Sequence, residues 1–363
     1  MNDTLKLPPY AKAALFCVGI YVFVSMLYIG RDIIVPLLFG TIIAILLHPV
    51  VNFFVRHKFN RILAIIITLL LSFIIIAAFG LFMISQMSRF SESWPIFVDK
   101  FTHLLNQAIN WAPGYFDISI EKVNEVIIRL KTELLNISSS FIGQTIVSVG
   151  NGVVVMLLIP VYVFLLLFYH PLLIDFVYKL FGDESQGKVK EIVTQTKSVV
   201  QRYLVGIFIE TMIIATLNSI GLLILGIDYA ILIGILGALL NLIPYIGGIV
   251  AVGLYMMIAL VTKDSSWFAL YVLVMFMFIQ LIDNNYIVPK IVASKVRINA
   301  LVSIIIVLAG GALWGVSGMF LSIPLIAIIK VICDHIEPLK PFGFLLGDTM
   351  PEIVIFKIKG KKK

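Results

Sequence analysis

Eight apolar stretches, each 17 to 34 residues long, constrain this chain more than any other feature. A hydrocarbon layer about 30 Å thick is crossed by about 20 helical residues. Inside it, every backbone amide and carbonyl must find a partner within the protein, which selects helices when each apolar run is this long. The fold class predicted is therefore all-α: a polytopic membrane protein with about eight hydrophobic segments. Composition agrees, since 61% of residues are hydrophobic and only 13% charged, against about 25% charged in a soluble domain. An ordinary soluble enzyme is excluded.

The net charge of +7 does not describe a basic surface, because Lys357, Lys359, Lys361, Lys362 and Lys363 supply five of those charges. A terminal lysine cluster reads as a tail touching anionic membrane lipids, at about 1 kcal/mol per charge near the surface. Nucleic acid is not expected as a partner. Cys17 and Cys333 lie in separate apolar segments, away from any histidine pair at ligand spacing, so neither a disulfide nor a metal site is expected. The apolar run after Lys6 and Lys12 is long for a signal peptide and lacks a clear small-residue cleavage site. It reads as a retained first helix.

Six stretches have the length of single crossings: 13–29, 33–55, 62–85, 145–169, 204–227 and 267–287. The other two, 229–262 and 300–333, have 34 residues each, beyond the roughly 17–25 of one span. Each is broken in the middle. The first break is Pro244-Tyr245-Ile246-Gly247-Gly248; the second comprises Gly310-Gly311, Gly315, Gly318 and Pro324, residues that weaken or kink helices.

Lysine and arginine retained on the cytoplasmic side set the orientation. Arg56, Lys58 and Arg61 place that short loop inside, and with it the N-terminus; residues 86–142 then fall outside, and 170–203, with Lys179, Lys188, Lys190, Lys197 and Arg202, form a cytoplasmic loop. If each long segment is a hairpin, Lys290, Lys295 and Arg297 also lie inside. Hairpins are the preferred reading, because irregular backbone at membrane depth is tolerated where protein buries it or a cavity borders it. Four regions result: N-terminal membrane helices (1–85), extracytoplasmic amphipathic helices (86–142), a membrane domain (143–339) and a basic cytoplasmic tail (340–363). The outer region divides at Ala112-Pro113-Gly114, and its second part carries Ile120, Val123, Ile127, Leu130, Leu134 and Ile137 in steps of three and four. Such a stripe can pack on a neighbouring helix, lie on the membrane or pair with another subunit.

An intramembrane enzyme is the main alternative class. Gly315-Val316-Ser317-Gly318 matches a Gly-x-Ser-Gly pattern, with His335 as a conceivable base. Glycine and serine are common in packed membrane helices, and no zinc motif, phosphate loop or glycine fingerprint accompanies them. The chain is expected not to be an enzyme and to use no cofactor.

The first break is more informative. Asn241, Pro244, Tyr245, Gly247 and Gly248 put an amide, a helix breaker, a phenol and two glycines in an apolar setting. This is either a structural kink or backbone freed to bind a solute. Broken segments recurring in two successive units point to a transporter's binding site. Ionisable residues within spans are costly and face a cavity or a partner; Glu210 and Asp283 are the candidates, with Gln280 and Asn284 on the same face as Asp283. Either acid could instead sit near an interface. A carboxyl group held away from water favours its neutral form, which would open a route to proton coupling.

The run Asn241-Leu242-Ile243-Pro244-Tyr245-Ile246-Gly247, with Gln280, Asp283, Pro289-Lys290, Gly315, Gly318 and Pro324 after it, resembles the autoinducer-2 exporter family of bacterial membrane proteins. Length and layout agree, and the Pro-Tyr-Ile-Gly element is its most specific part. The resemblance implies a secondary transporter of the plasma membrane, associated with autoinducer-2 export in some members and sodium/proton antiport in others. The expectation is a homo-oligomer whose substrate, a small solute or an ion, passes between the two broken segments. Pro244, Gly247 and Gly248 would hold unwound backbone; Asn241, Tyr245, Gln280 and Asn284 would bind the solute; Asp283 or Glu210 would couple ions. Glu210 matches no family motif, so its role rests on depth and charge. A non-transporting membrane scaffold is the rival reading, in which Asn241 and Tyr245 would pack dry.

Overall fold

The computed structural model describes residues 8–111, 125, 128, 129, 131, 132, 157–181, 186–243, 246–292 and 298–348. All the regular structure among them is helical. Pro244, Tyr245, Lys295, Arg297, the apolar stripe from Ile120 to Ile137 and the lysines of the tail lie outside the described residues.

Three helices open the chain: α1 (Pro9–Ile29), α2 (Arg31–Arg56) and α3 (Arg61–Trp111). Gly30 separates the first two, its N–H reaching the Met26 carbonyl at 2.9 Å. No residue of α1 is buried, and among the described elements it touches only α2 and α10. The helix does not break at residue 85: α3 runs on for 51 residues in all, about 77 Å. Past the apolar part, Phe90, Phe97 and Val98 keep the helical spacing that seats this extension against the rest of the protein.

A short helix α4 (Leu157–Phe168) is followed by α5 (His170–Phe181), bent 63° away from it. The long helix α6 (Gln186–Ile224) comes next. Residues 170–203, expected as a loop, are therefore almost wholly helical where described. The reason is a buried stripe through a charged sequence: Val189, Val200 and Leu204 are buried and Ile192, Val193 and Lys197 half-buried at helical steps.

The remaining elements are α7 (Ala230–Leu240), α8 (Ile246–Thr262), α9 (Trp267–Ile282), a π-helix (Asp283–Val292), α10 (Ala300–His335), a 3-10 turn (Glu337–Leu339) and α11 (Lys340–Leu346). Both long apolar segments fold back on themselves. In the first, the Tyr255 hydroxyl donates to the Gly234 carbonyl at 3.5 Å, whereas a straight helix would separate those residues by about 31 Å. Its two ends meet the α3 extension: Tyr229 bonds Ser93 at 2.8 Å, and Lys100 Nζ donates to the Val261 carbonyl at 3.3 Å.

In the second, α10 turns at Trp314 and Gly315, the latter with φ +63°, where a side chain would be strained. Ser322 Oγ then donates back to the Ile306 carbonyl at 3.0 Å, and Gly310 packs directly on Gly318. Asn299, before the first arm, bonds the Leu345 and Leu346 carbonyls after the second, at 2.7 and 3.1 Å. Both ends of this hairpin thus lie together. Its turn is tied to α1, because Trp314 Nε1 donates to the Leu27 carbonyl at 3.0 Å.

Among the described residues, six helices are long and apolar enough to cross a membrane, seven if α4 and α5 form one bent span. α10 reaches that length only by joining two antiparallel arms. The outward faces carry residues such as Phe16, Tyr21, Phe73, Ile76 and Phe278, as expected of a surface solvated by lipid. The protein is a multi-pass helical membrane protein.

Candidate functional site

The α7–α8 hairpin ends inside the protein, and a cavity of about 560 Å³ lies at its tip. Its walls come from α6 (Tyr203, Ile207, Glu210, Thr211, Ile214), the hairpin (Ala238, Asn241, Leu242, Gly248, Ile249, Val252), α9 and the start of the π-helix. Asn241, Gly248, Gln280, Asp283, Asn284 and Glu210, six of the nine residues singled out in the sequence, border this one space. Gly247 does not, and Pro244 and Tyr245 lie outside the described residues. The second hairpin contributes no residue to the lining. The space lies beside one broken segment rather than between two.

Local structure explains each placement. α7 stops at Asn241, and the N–H groups of Asn241, Leu242 and Ile243 turn back to the Gly237, Leu239 and Leu240 carbonyls at 2.9–3.2 Å. Gly247 N–H closes the turn on the Ile243 carbonyl at 3.0 Å. These amides are therefore used within the hairpin, and the cavity is met by side chains. Gly247 presses against the Leu240 carbonyl, where any side chain would collide; it holds the tip closed. Gly248 leaves room beside the Asn241 and Gln280 side-chain oxygens, with a Cβ fitting 3.5 Å from Asn241 Oδ1.

The helical ladder of α9 widens into the π-helix at Asp283, a distortion that often marks functional sites. Asp283 is 1% exposed. It shares the cavity with the Asn241 side chain, and its Oδ1 is buried with no hydrogen-bond partner among the described residues. Leaving a buried polar atom unpaired costs about 1–3 kcal/mol, and more where it bears charge. Glu210 approaches from α6 closely enough for the two carboxylate charges to repel. Gln280 Nε2 donates to Asn284 Oδ1 at 3.4 Å. Asn285 turns away, its amide donating to the Leu281 carbonyl at 2.8 Å. Among the described residues, no lysine, arginine or histidine borders the cavity.

Tyr203, Thr211 and Phe276 also line the space and were not anticipated. Tyr203, Ile207, Glu210, Thr211 and Ile214 follow helical spacing on one face of α6, so Glu210 could have led to the others. Asn218, on the same helix, is buried away from the cavity, its Oδ1 without a hydrogen-bond partner among the described residues. The serine and histidine of the enzyme reading do not meet: Ser317 begins the second arm of α10 and His335 ends it, about 27 Å along the helix.

A helical membrane protein with a polar, carboxylate-bearing cavity at the tip of a broken helix pair has the architecture of a secondary transporter. Residues 15–337 match the model of the AI-2E family transporters, and the chain belongs to that family. It is 24% identical over 319 residues to "Putative transport protein YueF" of Bacillus subtilis (85% of this chain, 84% of the relative). YhhT of Escherichia coli K12, described in the same terms, is 22% identical over 340 residues (92% and 93%). A sodium-lithium/proton antiporter of Halobacillus andaensis is 25% identical over 323 residues (84% and 90%). The chain has a transporter role.

Proposed function

We propose that the chain exchanges a monovalent cation such as sodium for protons across a bacterial plasma membrane, with Asp283 and Glu210 as the exchanging groups. The observation that carries this reading is the convergence of two carboxyl groups on one cavity whose described lining holds no basic residue, one of them with a buried oxygen that has no hydrogen-bond partner among the described residues. Such an oxygen is satisfied either by a proton or by a cation, not both, and that competition is the chemistry of antiport. The side-chain oxygens of Asn241, Gln280 and Asn284 complete a hard-oxygen set of the kind that takes alkali cations. The named function of the Halobacillus andaensis relative is in keeping with it.

A second reading, export of a small hydrophilic solute such as autoinducer-2, is favoured by the volume of about 560 Å³, larger than a bare cation needs. In both readings the termini are cytoplasmic and the chain assembles as a homo-oligomer surrounded by lipid, with α1, which buries no residue of its own, available at the periphery. The scaffold reading is disfavoured because Asn241 faces the cavity.

The test is transport by purified protein in liposomes carrying an internal pH dye. An imposed sodium gradient drives proton flux in wild type, and losing a charge-assisted contact of about 1.5–3 kcal/mol lowers it about tenfold or more in Asp283→Asn and Glu210→Gln. Autoinducer-2 efflux without ion exchange would move the assignment to the second reading. Wild-type exchange in both variants would overturn the site.

A further inference from the structure

A second cavity, of about 700 Å³, lies apart from the transport site, enclosed by α2, α4, α5, α6 and the second arm of α10. None of its lining residues borders the first cavity. Its walls are hydrocarbon, from Ala44 and Ile45 on α2 through Leu166 and Ile192 to Ile328 and Ile332 on α10. One part of the wall is cationic: Lys197 Nζ lies 3.1 Å from Nδ1 and 3.4 Å from Nε2 of His48, and the His48 and His170 rings are 4.8 Å apart. Arg61 stands nearby, donating to the Leu167 carbonyl at 2.7 Å.

An imidazole is no counter-ion for an ammonium. Among the described residues no carboxylate forms an ion pair with Lys197. Glu337, the one acid among the described lining residues, already holds Lys340 Nζ at 2.6 Å. Thr196 Oγ, also in the lining, is buried with no hydrogen-bond partner among the described residues. A half-buried cation without an anion is costly, and the cost falls when an anion arrives. The apolar wall asks for a chain, and the cation for an oxyanion at its end.

We propose that this cavity binds a single-chain amphiphilic anion, a long-chain carboxylate, with its head at Lys197, His48 and His170 and its tail along the apolar wall. A cavity of this size suits one ligand of drug-like dimensions, which favours one chain over a two-chain phospholipid. Access is built in. α5 exposes Leu172, Phe176 and Leu180 on one side and contributes Leu173, Ile174 and Val177 to the cavity, and it starts at a 63° bend with His170, which also lines the cavity. An amphipathic helix bent away from a spanning one lies at the headgroup level, where a fatty acid already partitions.

The test uses the full chain in phosphatidylcholine nanodiscs, with radiolabelled palmitate as the probe and empty discs as background. Wild type is expected to bind one palmitate per chain saturably. Hexadecanol, with the same tail and no charge, should compete at least about tenfold more weakly, as loss of a charge-assisted contact requires. Lys197→Gln should weaken palmitate at least about tenfold while Lys197→Arg restores it to within about threefold. Ile332→Trp should abolish binding by filling the cavity. Unchanged thermal unfolding and sodium-driven exchange in these variants would show that the fold is intact. Binding that does not saturate, equal competition by hexadecanol, wild-type affinity in Lys197→Gln, or displacement by phosphatidylglycerol in preference to palmitate would each overturn the proposal.

Discussion

The fold-back of α10 makes a prediction that can be set in ångströms. Ser322 Oγ reaches the Ile306 carbonyl at 3.0 Å across the two arms, but sixteen residues of unbroken helix would separate these positions by about 24 Å. A disulfide needs Cα atoms about 4.4–6.8 Å apart. The double variant Ile306→Cys/Ser322→Cys, with Cys17 and Cys333 replaced by serine, should therefore oxidise within one chain under mild copper-phenanthroline treatment. Met319 lies between the two positions, so cyanogen bromide cuts the chain between the new cysteines. The fragments should stay joined until reductant is added, with monomeric mass before cleavage. A control pair, Ile306→Cys/Ile329→Cys, sets the background of random collisions. If the 306/322 pair stays reduced while both thiols accept maleimide, or links only between chains, the hairpin is wrong and α10 crosses the membrane once.

Gly247 and Gly248 should separate fold from function. Alanine at 247 collides with the Leu240 carbonyl and should cost about 1–3 kcal/mol, read as a lower unfolding temperature; alanine at 248 meets only ordinary contacts and should change the transport KM with little loss of stability. Tyr229→Phe removes the 2.8 Å bond to Ser93 while keeping the ring against Phe90 and Phe97; it should destabilise by about 0.5–1.5 kcal/mol in thermal unfolding. Asp283→Asn and Glu210→Gln, combined, should lower exchange by less than the product of their separate effects, because the two groups share one cavity.

The helices and both folded-back segments were legible because each signal is local: apolar length sets a span, and glycine or proline at mid-length sets a break. Asn241, Gln280, Asp283 and Asn284 were found because polar groups are conspicuous in apolar helices. Glu210 was placed by depth alone, and its convergence on Asp283 depends on how α6 and α9 pack. A helix before Ala112 was legible, but not that it continues α3 without a break, and the extension of α6 back to Gln186 was hidden by charge. Lys197 reads as loop until the apolar residues between such charges are seen to bury one face. Tyr203 and Phe276 gave no warning, since an aromatic residue in a membrane helix is ordinary. The arrangement of His48, His170 and Lys197 joins three elements and is invisible along the chain.

The 51-residue α3 is a beam with an uneven load. Its first half carries α2, while its far half holds both ends of the α7–α8 hairpin, through Ser93 at Tyr229 and Lys100 at Val261. About 23 of its residues extend past Ser88, where its span ends, roughly 35 Å of rod. A tilt of about 5° about that point would carry the far end about 3 Å sideways. The hairpin's base is fastened along that rod and its tip borders Asp283, so a force applied to α3 where it stands clear of the apolar belt acts as a lever on the cavity floor.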